Sequence, residues 1–439
     1  MLDEKYFDIE IKNSAGAIMK SYPGFSVSPS TSHTHLEKRR VELAKGVWAF
    51  IGYSSSNFAA IASEHGYIMV DTGDNVPLVR QARREIERLT AGRLQGIVLT
   101  HSHPDHRCGG SVFLEGAGDV PIWGHYAFGT EVRDGKGLET ILGRRTRRQF
   151  GFDIPTAMYT QNAMLPRFDE EVPAVPISPN TPVQEGRTKL DVDGVTLELY
   201  TIPTESADMV VVWLPEQKVL FGGDTAYGSF PNLYPLRGGA YRDVERWARG
   251  VRRLMDFPAQ ALLCGHNLAL FGEEISDFLE HYAQALEYVH AATIRGMNEG
   301  MGVDELAATI ELPEELRDYP YLKEFYGAVP WAVRAVFAAK VGWFDGNPTH
   351  VIPLTTREEA ERMARLAGGE EKLMMAARAA LAEGDWRWAC RLADCLLTLG
   401  SGHEVELLKA DALEALSHDI LPITGINYLL TCALELRKN

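Results

Sequence analysis

Residues 98–110 read VLTHSHPDHRCGG, a stretch that sets His101, His103, Asp105 and His106 on the loop after a short apolar run. The run itself, LQGIVLT, has the length and composition of a buried strand. Three imidazoles and a carboxylate crowded onto a turn, rather than spread along one helix face, can point toward two nearby cations. Their ligand types suit zinc and related divalent metals.

Upstream of the motif, WAFIGY, FAAIAS and GYIMVDTG read as strands, the last ending at Asp71 and Gly73. VPLVRQARREIERLT carries apolar residues at helical spacing, so the order strand, helix, strand predicts a βαβ-like unit with its loop at the strand's C-terminal end. Asp71 is then placed to support a ligating histidine from behind. Downstream, residues 130–190 are irregular and rich in Pro and Arg, and are expected to form an insertion over the site. Strands return in VTLELYTIP, DMVVVWLP, KVLFGGD and AQALLCGH. After about Glu273 the pattern is helical, and LMMAARAALAEGDWRWACRLADCLLTL reads as a helix, a Gly-Asp turn and a helix, in the manner of paired-helix repeats. The expected organisation is an amino-terminal arm (1–40), an α/β catalytic domain (41–275) and an all-α, helical-repeat-like domain (276–439).

The chain has 439 residues, of which 45% are hydrophobic and 24% charged, which excludes global disorder. Lys and Arg total 44 against 60 Asp and Glu, for a formal net charge of -16. Proteins that neutralise phosphate backbones carry the opposite balance, so nucleic acid is not an expected partner. Five scattered cysteines without a CxxC pair predict a reducing compartment. The opening residues lack a basic and then apolar signal pattern, and no run approaches the ~18 apolar residues of a membrane span. A cytoplasmic protein is expected.

THSHPDH resembles the first metal-binding motif of the metallo-β-lactamase superfamily. That resemblance implies an αββα sandwich with a two-metal site at one edge and further ligands at later strand ends. Searched in order, the chain offers Glu205 in TESADM, where a usual member has histidine, then Asp224 in GGDTAYG and His266 in CGHNLAL. The resemblance thus implies His101, His103 and Glu205 for one metal, Asp105, His106 and His266 for the other, and Asp224 as the bridge. Two divalent ions, Zn2+ foremost, are the implied cofactors.

TESADM followed by GDTAYGSFPNLYPLRG is similar to the alkylsulfatase branch, in which a Thr-Glu segment supplies a carboxylate ligand. Asn232 and Arg237 match the pair that contacts sulfate in that branch, roles suited to an amide donor and to the planar fork of a guanidinium. One departure is Asp224, where those sulfatases carry glutamate. YLKEFYGAVPWAVRAVFAAKVGWFDGNPTHVIPL and AEGDWRWACRLADCLLTL resemble the branch's helical dimerisation domain, which implies a homodimer. The function implied is binuclear metal-dependent cleavage of alkyl sulfate esters to alcohol and inorganic sulfate, with Asp105, Asn232 and Arg237 as catalytic residues. Two other readings stand beside it: the same fold acting on another ester, a lactone or a β-lactam, and a non-enzymatic helical adaptor. The basic cluster Arg144, Arg145, Arg147 and Arg148 is expected to make ion pairs or to steer anions.

Overall fold

Two sheets stacked face to face carry the site. The first has seven strands: β1 (Arg39–Ala44), β2 (Val47–Ile51), β3 (Phe58–Ala62), β4 (Gly66–Val70), β5 (Arg93–Val98), β6 (Ile122–His125) and β7 (Thr181–Val183), hydrogen-bonded in that order. β1 to β4 form antiparallel neighbours, whereas β4 to β7 run parallel. The second sheet has six strands, again in sequence order: β8 (Arg187–Val192), β9 (Val195–Thr201), β10 (Val210–Leu214), β11 (Val219–Gly223), β12 (Ala261–Cys264) and β13 (Ala269–Phe271). Only β11 and β12 pair in parallel there. This computed structural model describes residues 38–439, except 91, 131–134, 160–163, 166–173 and 439, together with the backbone of strands Glu10–Lys12, Ile18–Lys20, Phe25–Val27 and Thr34–Leu36. Most of the expected arm therefore lies outside the described residues.

The strands explain their own composition. β4, β10 and β11 are buried at every position, because both faces of each sheet are covered. Alternate residues feed different layers. Val210 and Val212 face the sandwich interior with Ile61, Val70 and Phe221, while Val211 and Trp213 face outward into a second core. The outer face of the first sheet is closed by α1 (Val76–Thr90), whose Val79, Ala82 and Ile86 pack on Phe50, Phe58 and Met69. The outer face of the second is closed by α2 (Val244–Leu254) and α3 (Glu273–Asn298), with Trp247, Val251, Phe278 and Tyr282 in the core. Asp243 starts α2 by accepting the Arg246 backbone N–H at 2.9 Å. The result is the expected αββα layering, and β4, α1 and β5 form the expected parallel unit.

The same outer core continues into α4 (Val329–Val341) through Ala332, Val333 and Val336, so the helical half begins as part of the support for the second sheet. Beyond it, α5 (Thr356–Ala367), α6 (Glu370–Glu383), α7 (Trp386–Leu399) and α8 (His403–His418) build a separate core around Ala364, Leu373, Ala377, Leu392 and Leu408. Gly384 ends α6 in the left-handed conformation and Asp385 caps α7, which is the Gly-Asp turn expected between two helices. The carboxy-terminal helix α9 (Ile423–Lys438) turns back onto α10 (Glu139–Phe150). That last element corrects the expectation of an irregular segment at 130–190: a twelve-residue helix stands there. Only Gln149 in it is buried, so it lacks the apolar stripe that would announce a helix.

Candidate binuclear metal centre

Each candidate ligand sits where a strand of the sandwich ends. His101 and His103 follow β5, and Asp105 and His106 lie on the single turn Pro104–Arg107. Glu205 lies between β9 and β10, Asp224 directly after β11, and His266 after β12. The sandwich brings all seven together in two groups: His101, His103, Glu205 and Asp224, and beside them Asp105, His106 and His266. Asp224 joins the groups. Its Oδ2 lies 3.7 Å from His101 Nε2 and 3.2 Å from His266 Nε2, and its Oδ1 lies 3.3 Å from His106 Nε2.

Within each group the donor atoms all lie within 4.8 Å of one another. His101 Nε2 and His103 Nδ1 face one another at 2.9 Å, where two lone pairs repel unless a proton or a cation lies between them. His103 Nδ1 is 3.6 Å from Glu205 Oε2, and Asp105 Oδ2 is 3.5 Å from His106 Nε2 and 3.4 Å from His266 Nε2. His106 Nε2, Glu205 Oε2 and Asp224 Oδ1 are buried and make no hydrogen bond among the described residues. Buried polar atoms left this way are costly, and two cations, one in each group with Asp224 shared, would satisfy all three. Imidazole and carboxylate donors without thiolate fit divalent metals. Cys108, beside the loop, is not among the donors, and burial pushes its thiol up to about 11.

The buried imidazoles and carboxylates shift one another's protonation strongly. Burial alone would lower the His106 and His266 pKa values, yet Asp224 and Asp105 hold His106 well above its usual range and His266 at about 9. Burial, reinforced by His106 and His103, drives His101 well below. Burial lifts Glu205 to about 7, with Arg242 opposing it. Burial would likewise lift Asp224, but His266 and His106 keep it well below the ordinary carboxylate range.

The supporting groups fix which imidazole nitrogen points inward. Asp71 Oδ2 accepts from His106 Nδ1 at 2.7 Å, leaving Nε2 for the centre. The Asp71 carboxylate is itself held by the Thr100 backbone N–H and hydroxyl, both at 2.8 Å, on a residue with φ of 56°. His266 Nδ1 donates to the Ser55 carbonyl at 2.9 Å. Replacing Asp71 by Ala frees the His106 ring, and metal affinity should fall about 10- to 100-fold in a competition titration. A loss below threefold would contradict this role.

Asn232 and Arg237 follow on the loop after Asp224. Asn232 is buried, its backbone N–H donates to Tyr227 Oη at 3.0 Å, and its Nδ2 makes no hydrogen bond among the described residues. Arg237 is partly exposed, with its backbone N–H on Gln149 Oε1 at 2.7 Å. The residue that sequence reading missed is Arg242. It is buried, pairs with Glu205 Oε1 and donates to the Asn232 carbonyl at 2.8 Å, tying the loop to the metal cluster. No motif marks it, since GGAYRDV reads as an ordinary turn before a helix. The basic cluster is largely structural: Arg147 pairs with Asp153 and Arg148 with Glu435.

Residues 51–266 match the family model described as the metallo-beta-lactamase superfamily, and residues 302–439 the one described as alkyl sulfatase dimerisation. A linear primary-alkylsulfatase of Pseudomonas sp. is 31% identical over 390 residues, covering 86% of this chain and 73% of that protein. The chain belongs to the alkylsulfatase family. An (R)-specific secondary-alkylsulfatase of Pseudomonas sp. is 27% identical over 404 residues, covering 88% of this chain and 60% of that protein. The solved structure of the inverting sec-alkylsulfatase Pisa1 from Pseudomonas sp. has a TM-score of 0.84 at 26% identity, covering 98% of this chain and 72% of that one. This alkylsulfatase-family chain thus spans 60% to 73% of the length of these relatives. The αββα sandwich with its helical extension is the family's fold, and the chain is a hydrolase.

Proposed function

We propose that this protein is a zinc-dependent binuclear alkylsulfatase, cleaving alkyl sulfate esters to an alcohol and inorganic sulfate. The observation that carries the reading is Arg242, which bonds both Glu205 and the Asn232 carbonyl and so fixes the Asn232–Arg237 loop against the seven-residue cluster. An anion site and a metal site held by one buried guanidinium suit a substrate that is a sulfate monoester. His101, His103 and Glu205 would hold one cation, Asp105, His106 and His266 the other, with Asp224 shared. Such a pair, when bound, supplies Lewis acidity toward a sulfate oxygen and a water acidified toward neutral pH. The chain's own groups do the rest. The Arg237 guanidinium neutralises the sulfate charge, and the unpaired Asn232 Nδ2 donates to an equatorial oxygen. Asp71 and the Ser55 carbonyl keep the His106 and His266 tautomers fixed through turnover.

The test is a panel of substrates: short and long primary and secondary alkyl sulfates beside phosphate esters, a lactone and a β-lactam, each with a His103→Ala control. Sulfate release that disappears in the control supports the reading. Turnover confined to the other substrates would favour the wider superfamily, to which Asp224 in place of glutamate also points. The five unpaired thiols support a reducing, cytoplasmic setting. Among the described residues no helix is long and apolar enough to cross a membrane.

The proposed assembly is a homodimer formed through the helical half. The segment from Val341 to Leu354 lies inside the dimerisation match and leaves Trp343 81%, Val351 60% and Ile352 86% exposed. Large apolar side chains gathered in this way are expected to be covered by a partner. A Trp343→Ser, Ile352→Ser variant should run as a monomer in light scattering, where the parent runs as a dimer. A monomeric parent, or a variant still dimeric, would contradict this interface.

A further inference from the structure

The helix α10 meets the loop of Arg237 at one buried side chain. Gln149 is fully buried, and its Oε1 accepts the backbone N–H of Arg237 at 2.7 Å. Its Nε2 makes no hydrogen bond among the described residues, so the amide is held in place by Arg237 alone. A glutamine kept only for packing would be replaced without loss by an apolar residue of the same volume, whereas this one supplies an acceptor to a single backbone donor.

Gln149 is in turn anchored from the far end of the chain. Asn427 of α9, also fully buried, donates from Nδ2 to the Gln149 carbonyl at 3.3 Å. The approach depends on Gly151, which ends α10 at φ 66°: a Cβ there would stand 2.9 Å from Asn427 Cγ. Arg148 reinforces the contact, pairing with Glu435 and lying 5.7 Å from the Tyr428 ring centroid, both on α9. A continuous set of contacts therefore runs from the carboxy-terminal helix through α10 to the backbone of Arg237.

We propose that Gln149 is a positioning residue for Arg237, setting the guanidinium where it meets the sulfate group and making that placement depend on the docking of α9. The inference rests on the reading of Arg237 as the sulfate-binding cation. Among the described residues Gln149 makes no hydrogen bond to a candidate metal ligand; it acts by denying the Arg237 loop its alternative conformations. Its removal should thus weaken recognition of the anion and leave the metal centre and the chemical step intact.

The experiment compares Gln149→Met and Gln149→Glu with the parent, each also in an Arg237→Ala background. The readouts are kcat and KM on a primary alkyl sulfate, competitive inhibition by inorganic sulfate, bound metal per chain and the unfolding midpoint. Gln149→Met keeps the volume and removes the acceptor. It should raise KM and the sulfate inhibition constant about tenfold, with kcat and metal content little changed. In the Arg237→Ala background the same change should have no further effect on either constant. Gln149→Glu, which keeps an oxygen at the same reach, should stay within about threefold of the parent. Gln149→Ala, which removes the acceptor without adding bulk, carries the same expectation if the methionine variant fails to fold.

A methionine or alanine variant with parental constants, beside an impaired Arg237→Ala, would overturn the role of Gln149 and leave the sulfate reading standing. So would a Gln149→Glu variant as impaired as Gln149→Met, since packing rather than the acceptor would then matter. An Arg237→Ala enzyme with parental constants would instead overturn the sulfate reading itself.

Discussion

Asp224→Asn removes both cations from the protein and lowers sulfate release on the order of 10³-fold or more. The size of the effect follows from geometry. Among the described residues Asp224 forms ion pairs with His101, His106 and His266 together, and it is buried with no hydrogen bond to Oδ1. An amide of the same shape loses the negative charge that offsets two divalent ions, and it turns a donor toward at least one of them. The surrounding backbone is built for this carboxylate. A Cβ on Gly265 would lie 1.9 Å from Asp224 Oδ1, so only glycine can follow β12 at that point. Metal analysis of the purified variant beside its rate decides the matter. Two metals per chain and a rate within tenfold of the parent would show that Asp224 does not bridge.

Arg237→Ala has the second largest expected effect, a fall of about 10²–10³ in kcat/KM for alkyl sulfates with bound metal unchanged. Arg237, whose Nη1 donates to the Gly238 carbonyl at 3.2 Å, is the cationic residue of the 232–237 segment, while Arg242 pairs with Glu205. In a chain of net charge -16, binding an anion requires such a local cation to outweigh the overall field. Arg237 is not among the seven candidate ligands, so rate and metal content should separate in this variant where they fall together in Asp224→Asn. A rate within threefold of the parent would remove Arg237 from the sulfate site.

The contrast between Asp224 and Arg242 shows what could be read in advance. His101, His103, Asp105 and His106 are local in sequence, and the superfamily resemblance of that motif, followed in order along the chain, nominated Glu205, Asp224 and His266. The eight central strands and α1 were legible for a related reason: sheets covered on both faces produce apolar runs such as VVVWL, and α1 shows a clean helical stripe. Arg242 and Gln149 carry no such mark. Each matters through a partner distant in sequence, Arg242 through Glu205 and Gln149 through Arg237 and Asn427. α10 escaped notice because its polar, arginine-rich surface is held by ion pairs and by α9 rather than by an apolar face. β1 was hidden by alternation: RRVELA exposes a charged side along the sheet edge and contributes only Leu43 fully to the core.

The central claim is that sulfate ester hydrolysis needs two cations held by these seven side chains. The most direct measurement is a titration of the metal-stripped protein with zinc, following bound metal per chain and sulfate released from a primary alkyl sulfate in the same samples. The account predicts negligible release without metal and full release only as the second equivalent binds. Full activity in the stripped protein, or a plateau reached at one equivalent, would contradict it.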